Sequence, residues 1–375
     1  MTTTTTTTTA RTATRAGRLA DEVAARDIDL FLVSALVDVR YLTGYTGSNG
    51  VAIVGPGPDG LRLFLTDFRY VTQVQRQVGP EWDKRLAAQD LVGPGVAEHL
   101  PSRAGGALRL GFDDAALSLR QYERLREVLA DRAELVPAGE LVAGLREVKD
   151  PGEVDRIRAA AHLADAALTE VLGRGLAGRT ERDVAVDIEI ELRRTGADSV
   201  SFQPIVASGA NGALPHAEPR DVAIEPGALV TIDWGARLEG YCSDCTRTFA
   251  VGEVGDDQRE IYELVLRAQQ AALAAVRPGP TGREVDAVAR DLIDEAGHAD
   301  HFGHGLGHGV GLEIHEAPRL SRQSEARLVA GNVVTVEPGV YVPDRCGVRI
   351  EDLVVVTDDG HEVLSTLPKE LQVVA

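Results

Sequence analysis

The chain has 375 residues, a mass of 40.0 kDa and a net charge of −19 at pH 7, which favours two domains and an acidic surface. An acidic surface gains no counterion-release energy from nucleic acid or from an anionic membrane, so both are excluded as partners. No apolar run approaches the ~18 residues of a membrane span, and three cysteines are too few for a disulfide framework. These observations predict a cytoplasmic protein.

The N-terminal part of the chain has two regions. Residues 1–17 contain a threonine run and no apolar stretch, which predicts a disordered tail and no secretory signal. Residues 18–149 begin with a short predicted helix near 18–26. Four apolar segments that follow are typical of strands, namely 30–33, 50–54, 61–65 and 108–112. This mixture predicts an α/β domain without an obvious chemical site.

A strong helix start marks the domain boundary. Asp150 is a typical N-cap, Pro151 suits the first helical position, and Glu153 completes a capping box. Apolar residues then recur at helical spacing as far as Val171. We therefore place the boundary just before this helix and assign residues 150–375 to a second domain.

The second domain contains an internal repeat. Three pairs of similar segments stand about 100 residues apart, namely 178–184 and 279–285, 215–220 and 314–319, and 227–233 and 331–337. Such steady offsets indicate duplication of a unit of helices and strands. We therefore expect two halves related by a pseudo-twofold axis.

Each half contains a predicted β-hairpin with two acidic residues. In the first hairpin, Asp233 and Asp244 lie on either side of a turn at Glu239-Gly240. If the turn centres between Leu238 and Glu239, the two aspartates are directly opposite, with Cβ atoms roughly 5 Å apart. Like charges at that distance repel unless a proton or a cation lies between them. The hairpin therefore predicts a metal site.

The second hairpin repeats this design with Glu337 and Glu351. Its predicted strands cover residues 333–337 and 348–356, with a turn at 343–345. If the two halves pack about a pseudo-twofold axis, four carboxylates meet. Such a cluster would repel itself strongly without divalent cations.

Histidines are concentrated in the glycine-rich segment 301–316. Taken alone, this segment is as consistent with an irregular surface loop as with a site. Beside four paired acids, one imidazole completes a ligand set expected for two divalent ions, such as manganese, cobalt or zinc, about 3.5–4 Å apart. Two such ions activate a bridging water, which points to hydrolysis of an amide.

These motifs together resemble the pita-bread metallopeptidases, the family of aminopeptidase P, prolidase and methionine aminopeptidase. The resemblance covers residues 150–375 and rests on the segments 233–235, 240–248, 304–308, 337–339 and 348–352. Residues 1–149 resemble the creatinase-type N-terminal domain of the proline-specific branch. The implied fold is α/β (α+β), with a small N-terminal domain before a pita-bread catalytic domain, and the implied reaction is cleavage before proline.

The resemblance also implies roles for individual residues. The implied metal ligands are Asp233, Asp244, His308, Glu337 and Glu351. Asp233 would hold one ion and His308 with Glu337 the other, while Asp244 and Glu351 would bridge both. Glu337 would also shuttle protons. The histidines implied in the substrate pocket are His216, His304 and His315, and the implied supports of the ligands are Arg349 and Tyr341.

Three features near these motifs have simpler interpretations. Cys242 and Cys245 form a CxxC pattern, but residues three apart in a strand face opposite sides, so a packing role is preferred over a redox role. Trp234 follows an implied ligand and should face away from the metals into the core. Arg349 could instead form a surface ion pair.

The leading hypothesis is an Xaa-Pro aminopeptidase acting on small peptides with proline in the second position, and the alternative is an Xaa-Pro dipeptidase. A creatinase-like hydrolase of a non-peptide C–N bond and a catalytically silent binding module are less well supported, because every ligand type is present. The implied cofactors are two divalent ions, with manganese preferred over cobalt or zinc. The resemblance also implies a homodimer.

Overall fold

The computed structural model describes residues 14–57, 59–87, 90–102 and 106–375. The chain forms two compact units, the first ending at Arg146 and the second beginning at Glu147. Most of the tail predicted for residues 1–17 lies outside the described residues. Residues 15–17, however, belong to the first helix, because Thr14 acts as its N-cap.

The first unit is built on a mixed sheet with the strand order β4-β3-β2-β1-β5-β6. Its strands are β1 Leu30–Val33, β2 Gly50–Val54, β3 Arg62–Thr66, β4 Asp83–Leu86, β5 Leu108–Phe112 and β6 Ala133–Pro137. Its α-helices are α1 Arg15–Ala24, α2 Leu36–Thr43, α3 Val71–Gln77, α4 Val96–His99, α5 Leu119–Leu129 and α6 Leu141–Arg146. The predicted bounds of β1, β2 and β5 are confirmed, and β3 is displaced by one residue.

The structure describes every residue of the second unit, and this unit contains the repeat. Its helices are α7 Pro151–Leu172, α8 Glu181–Thr195, α9 Asp256–Ala275 and α10 Gly282–Glu295. The strands of its first half are β7 Ser199–Val200, β8 Ile205–Ser208, β9 Leu229–Trp234, β10 Ala236–Leu238, β11 Tyr241–Cys242 and β12 Cys245–Val251. Those that follow are β13 Gly307–Gly309, β14 Glu316–Leu320, β15 Val333–Val336, β16 Gly339–Val342, β17 Cys346–Arg349, β18 Asp352–Val356, β19 His361–Val363 and β20 Val373–Val374.

The larger sheets of this unit have the strand orders β20-β12-β9-β8 and β14-β13-β15-β18-β19. The short strands form two smaller sheets, β11-β10-β7 and β16-β17. No helix among the described residues of the chain has the length and the apolar composition that crossing a bilayer requires.

Two hydrophobic cores divide the second unit, one for each half of the repeat. Helices α7 and α8 pack against the sheet of β9 and β12, with Ile188 and Trp234 fully buried between them. Helices α9 and α10 pack against the sheet of β15 and β18, where Val265 and Val354 are fully buried. Each such apolar side chain contributes about 2 kcal/mol by leaving water. A separate core in each half is the arrangement that duplication predicts.

The predicted helix starts of the second unit are confirmed. Helix α7 begins at Pro151, and Asp150 and Glu153 each accept a hydrogen bond from the other's backbone amide, at 2.9 and 3.0 Å. Thr180 and Thr281 cap the first turns of α8 and α10. These caps satisfy amides that have no acceptor inside the helix.

The register of the first hairpin differs from the prediction by two residues. Glu239 and Gly240 both have positive φ, 48° and 85°, and form a two-residue turn whose twist matches that of the flanking strands. Asp233 consequently faces Thr246 and not Asp244. Because side chains alternate between faces with a period of two, a shift of two residues leaves both aspartates on the same face. The two aspartates are therefore diagonal neighbours and do not face each other directly as the predicted register requires.

Three of the four acidic residues lie at breaks in the strands of the two hairpins. Asp244 separates β11 from β12, Glu337 follows β15, and Glu351 separates β17 from β18. The turn at residues 343–345 is confirmed. At the interruption the amide of Glu351 donates to the carbonyl of Thr246 at 3.1 Å, which joins the two hairpins. The breaks therefore bring acidic side chains from both halves to one place.

Candidate metal centre

Three carboxylates meet where the hairpins break. One oxygen from each of Asp233, Asp244 and Glu351 lies within 4.8 Å of the others. Asp233 and Asp244 belong to the first half of the repeat and Glu351 to the second. The duplicated halves therefore contribute to a single centre.

Glu337 and His308 border this cluster. His308 lies on β13, and its Nε2 is 3.5 Å from Asp244 Oδ2 and 3.4 Å from Glu337 Oε1. Its Nδ1 lies 3.0 Å from the carbonyl oxygen of Gly309. Because a carbonyl can only accept, Nδ1 carries the proton and Nε2 keeps a free lone pair. Glu337 is held by the hydroxyl of Thr335, which donates to Oε1 at 3.0 Å.

The carboxylates of the centre are in a poor environment for negative charge. Burial, followed by repulsion from Glu351 and Asp233, raises the pKa of Asp244 well above its usual range. Burial, followed by repulsion from Glu337 and Asp233, does the same to the pKa of Glu351. Burial also raises the pKa of Glu337. Positive charge within the cluster would favour the ionised forms.

The donor atoms of the centre fit divalent cations. Asp233 Oδ1 and Glu351 Oε1 are buried and have no hydrogen-bond partner among the described residues. Buried carboxylate oxygens are otherwise almost always hydrogen-bonded, so these two atoms need another partner. Together with Asp244, Glu337 and His308 Nε2 they form an oxygen-rich set with one nitrogen, which suits manganese, cobalt or zinc.

Arg349 connects the carboxylates to the cavity wall. Its exposed fraction is 3%, so the interpretation as a surface ion pair is wrong. The guanidinium donates to Asp233 Oδ2 at 2.6 Å and to the hydroxyl of Tyr341 at 2.9 Å. It also donates to the carbonyl of Pro215 at 3.0 Å and to the hydroxyl of Thr246 at 3.0 Å. One side chain thus orients a carboxylate, a phenol and a loop.

The pocket histidines border a cavity of about 390 Å³ beside the carboxylates. His304 Nε2 is 2.9 Å from the hydroxyl of Tyr341, and the ring of His315 lies 4.4 Å from that of His308. His216 is exposed on the loop after β8. Burial lowers the pKa of His304, and burial followed by the neighbouring His308 lowers the pKa of His315. Both effects favour the neutral form of the ring.

The cavity wall also contains residues that the sequence analysis missed. They are Phe202, Gln203, Ile205, Pro215, Ile314 and Arg319. Arg319 has no carboxylate partner among the described residues, although the repeat aligns it with Arg220. The guanidinium of Arg220, by contrast, is bound to buried Glu181 at 3.0 Å. That alignment was the signal in the sequence that could have drawn attention to Arg319.

Two simpler interpretations agree with the structure. Cys242 and Cys245 are buried free thiols, and neither belongs to the carboxylate cluster found among the described residues. Trp234 is fully buried in the first core, and its indole nitrogen donates to the carbonyl of Ala164 at 3.0 Å. The core position predicted for Trp234 is confirmed.

Comparison with known proteins places the chain in a family. Residues 155–358 match metallopeptidase family M24, and residues 15–148 match the creatinase/prolidase N-terminal domain. The chain therefore belongs to the M24 metallopeptidases, a family of dinuclear metal-dependent enzymes. This confirms the predicted order of a creatinase-type domain followed by a pita-bread catalytic domain.

Similar proteins carry related names. The Xaa-Pro dipeptidase of Pyrococcus furiosus is 36% identical over 357 residues, which cover 95% of this chain and 99% of the relative. The solved structure of an Xaa-Pro dipeptidase from Bacillus anthracis is 40% identical with a TM-score of 0.89, covering 96% of this chain and 99% of the other. That of an X-Pro aminopeptidase from Thermotoga maritima MSB8 is 34% identical with a TM-score of 0.84, covering 94% and 99%. The chain is thus a metallopeptidase.

Proposed function

We propose that this protein is a dinuclear metallopeptidase that cleaves the bond between an N-terminal residue and proline. The observation that carries the proposal is the cluster of half-buried Asp233 with buried Asp244 and Glu351, beside a cavity lined by histidines. The names of the relatives support the substrate class. When bound, two divalent ions supply an activated water and polarise the scissile carbonyl.

The proposed metal ligands are those that the family resemblance implies, and the positions of the donor atoms support them. We assign Asp233 to one ion and His308 with Glu337 to the other. Asp244 and Glu351 are assigned to both ions, as the family resemblance implies, and would hold them together with these ligands. Asp233 Oδ1 and Glu351 Oε1 have no hydrogen-bond partner among the residues that the structure describes, which supports this assignment because a bound cation would satisfy them.

Glu337 is the proposed proton shuttle. Its carboxylate borders the cavity, where it can accept a proton from water and return it. It would take a proton from the attacking water and deliver it to the departing proline nitrogen, which must be protonated to leave as an amine. His216 and His315 line the cavity, where they would hydrogen-bond the substrate.

The cavity wall suits a proline side chain. Phe202, Ile205, Pro215 and Ile314 contribute apolar surface close to the carboxylates. A pyrrolidine ring buries its methylene groups against such a wall at about 0.8 kcal/mol for each. This part of the cavity is the proposed pocket for the residue that follows the cleaved bond. It would select proline by apolar contact, while the metal centre performs the hydrolysis.

Arg319 favours a dipeptidase over the aminopeptidase that the sequence analysis put first. In an Xaa-Pro dipeptide the terminal carboxylate lies on the proline itself, close to the scissile bond. A guanidinium without a protein carboxylate partner binds such a group through two parallel hydrogen bonds. In a longer peptide a neutral amide takes that place and binds arginine more weakly.

The test uses enzyme reconstituted with manganese, cobalt or zinc and three matched substrates, Ala-Pro, Ala-Pro-amide and Ala-Pro-Pro. Release of alanine is measured, and Ala-Ala serves as the control for proline selectivity. A dipeptidase cleaves Ala-Pro with the highest kcat/KM, whereas an aminopeptidase prefers Ala-Pro-Pro. Cleavage of none of them with any of the three metals would overturn the proposal.

We further propose that the protein binds manganese in the cell, that it forms a homodimer and that it is located in the cytoplasm. The oxygen-rich donor set supports manganese, and the small number of cysteines supports a reducing compartment. The homodimer is supported by the family resemblance. Light scattering should give twice the chain mass of 40.0 kDa, and elemental analysis of protein purified without added metal should find manganese. A monomeric mass would contradict the assembly.

A further inference from the structure

A buried ion pair on α10 lies behind the cavity. The exposed fractions of Arg290 and Asp286 are 6% and 1%, and neither residue lines the cavity. Arg290 donates from Nε and Nη2 to the two carboxylate oxygens of Asp286, each at 2.7 Å. A buried ion pair is on average no more stabilising than a well-packed apolar pair of the same size. Its presence here therefore needs a reason beyond stability.

The remaining hydrogen bonds of the pair go to the backbone of residues 302–306. Arg290 donates from Nη1 to the carbonyl of Phe302 at 2.9 Å and from Nη2 to the carbonyl of His304 at 2.8 Å. Asp286 Oδ1 accepts from the amide of Leu306 at 2.9 Å. This segment belongs to neither a helix nor a strand, so the ion pair supplies the hydrogen bonds that regular structure would otherwise provide.

The same segment places His304 at the cavity. The ring of His304 lies edge-on to that of Phe302, with centroids 5.1 Å apart, and Phe302 in turn lies 4.1 Å from the guanidinium of Arg290. His304 Nε2 meets the hydroxyl of Tyr341 at 2.9 Å, and Tyr341 accepts from Arg349. A displacement of this backbone would therefore move His304 relative to the metal centre.

We propose that Asp286 and Arg290 are positioning residues that fix the backbone of residues 302–306 and thereby hold His304 against Tyr341. The planar guanidinium serves two carbonyls and a carboxylate at once, which a lysine ammonium cannot do with the same geometry. The kinetic consequence rests on the proposed function, whereas the structural consequence does not. The two are therefore tested separately.

The kinetic test is Arg290→Lys in the metal-loaded enzyme. This variant keeps the positive charge but loses the planar guanidinium and its several N–H donors. We expect kcat/KM for Ala-Pro to fall about 10–100-fold while two metal equivalents remain bound. Ile293→Val is the matched control, because Ile293 is fully buried on the same helix and makes no polar contact with the segment. It should lower thermal stability and leave kcat/KM unchanged. An Arg290→Lys enzyme as active as wild type would overturn the proposal.

A double-mutant cycle shows whether Arg290 acts through His304. In a His304→Ala background, Arg290→Lys should reduce kcat/KM by less than about threefold, because the group it positions is already gone. Full additivity of the two effects would overturn the positioning role. If Arg290→Lys does not fold, the double variant Asp286→Leu/Arg290→Met replaces both charges by apolar groups and serves in its place.

Hydrogen exchange tests the structural part without activity. Peptides covering residues 302–306 should exchange faster in Arg290→Lys than in wild type, and at the wild-type rate in Ile293→Val. If wild type cleaves none of the peptides but exchange behaves in this way, the proposed function fails and the positioning role stands. Unchanged exchange in Arg290→Lys overturns the positioning role, whatever the activity.

Discussion

Arg349 Nη2 donates to Asp233 Oδ2 at 2.6 Å, which is one of the contacts between the two halves of the repeat at the metal centre. Arg349 lies on β17 of the second half, and Asp233 lies on β9 of the first. The same guanidinium donates to the carbonyl of Pro215, next to His216. The orientation of a metal-binding carboxylate and that of a pocket loop therefore depend on one side chain.

Replacing this side chain tests that dependence. Arg349→Lys should lower kcat/KM about 10–100-fold, since one ammonium cannot replace the guanidinium's separate hydrogen bonds. Arg345→Lys is the control, because Arg345 is exposed in the turn of the same hairpin. Steady-state kinetics and metal content at saturating metal provide the measurement. Activity within twofold of wild type would show that the contact is incidental.

Replacing Asp244 by asparagine should have opposite effects on the thermal stability of the metal-free and the metal-loaded protein. Asp244→Asn removes a carboxyl group whose ionisation is opposed by burial and by the neighbouring acids, so the metal-free variant should unfold at a higher temperature than metal-free wild type. The loaded variant should gain less from metal, because a ligand proposed to bridge both ions is weakened. Calorimetry with and without manganese, with exposed Asp358→Asn as control, measures both. Two equivalents bound at wild-type affinity would refute the bridging role.

The lowered pKa of Glu181 should make the free energy of unfolding depend on pH. Burial acts to raise its pKa, but hydrogen bonds from Arg220 and Ser208 outweigh burial and hold the pKa below the ordinary value of 4.5. A lowered pKa contributes stability above pH 4.5 that is lost as the pH falls through the folded-state value. Glu181→Gln should therefore cost about 2 kcal/mol at pH 7. The difference from wild type should shrink below pH 4.5.

Urea denaturation of metal-free protein, repeated at intervals of about one pH unit between about pH 3 and pH 7, measures the difference in unfolding free energy between wild type and Glu181→Gln. Glu170→Gln on α7 is the control, because Glu170 is exposed. A wild-type advantage over Glu181→Gln that stays constant across this range would contradict the assignment.

Arg319 should distinguish a free carboxylate from an amide in the substrate. Arg319→Met should lower kcat/KM for Ala-Pro about 10–100-fold, the value of a lost charge-assisted hydrogen bond, and leave Ala-Pro-amide nearly unchanged. The neighbouring exposed Arg322 does not line the cavity, so Arg322→Met should leave both substrates unchanged. An equal loss on the two substrates would indicate that Arg319 does not bind the terminal carboxylate.

Features that depend on residues close together in the chain were predictable. Asp150 and Glu153 form the expected capping box, and Thr180 and Thr281 cap the helices that the repeat indicated. Asp233, Asp244 and Glu351 meet in one cluster as the hairpins predict, although Glu337 only borders it and the register of the first hairpin differs by two residues. The alternation of side chains tolerates that error, because an even shift keeps every side chain on its face.

The sequence by itself thus determined the domain order, the repeat and the acidic residues that meet, since each depends on local pattern or on internal similarity. Only the tertiary structure decided that Arg319 has no carboxylate partner within the described part of the chain, while Arg220 is paired with Glu181. It also decided that Asp286 and Arg290, an ordinary-looking i,i+4 pair, are buried behind His304. Burial and pairing depend on segments far apart in the chain, and no local spacing distinguishes a buried guanidinium from a solvated one.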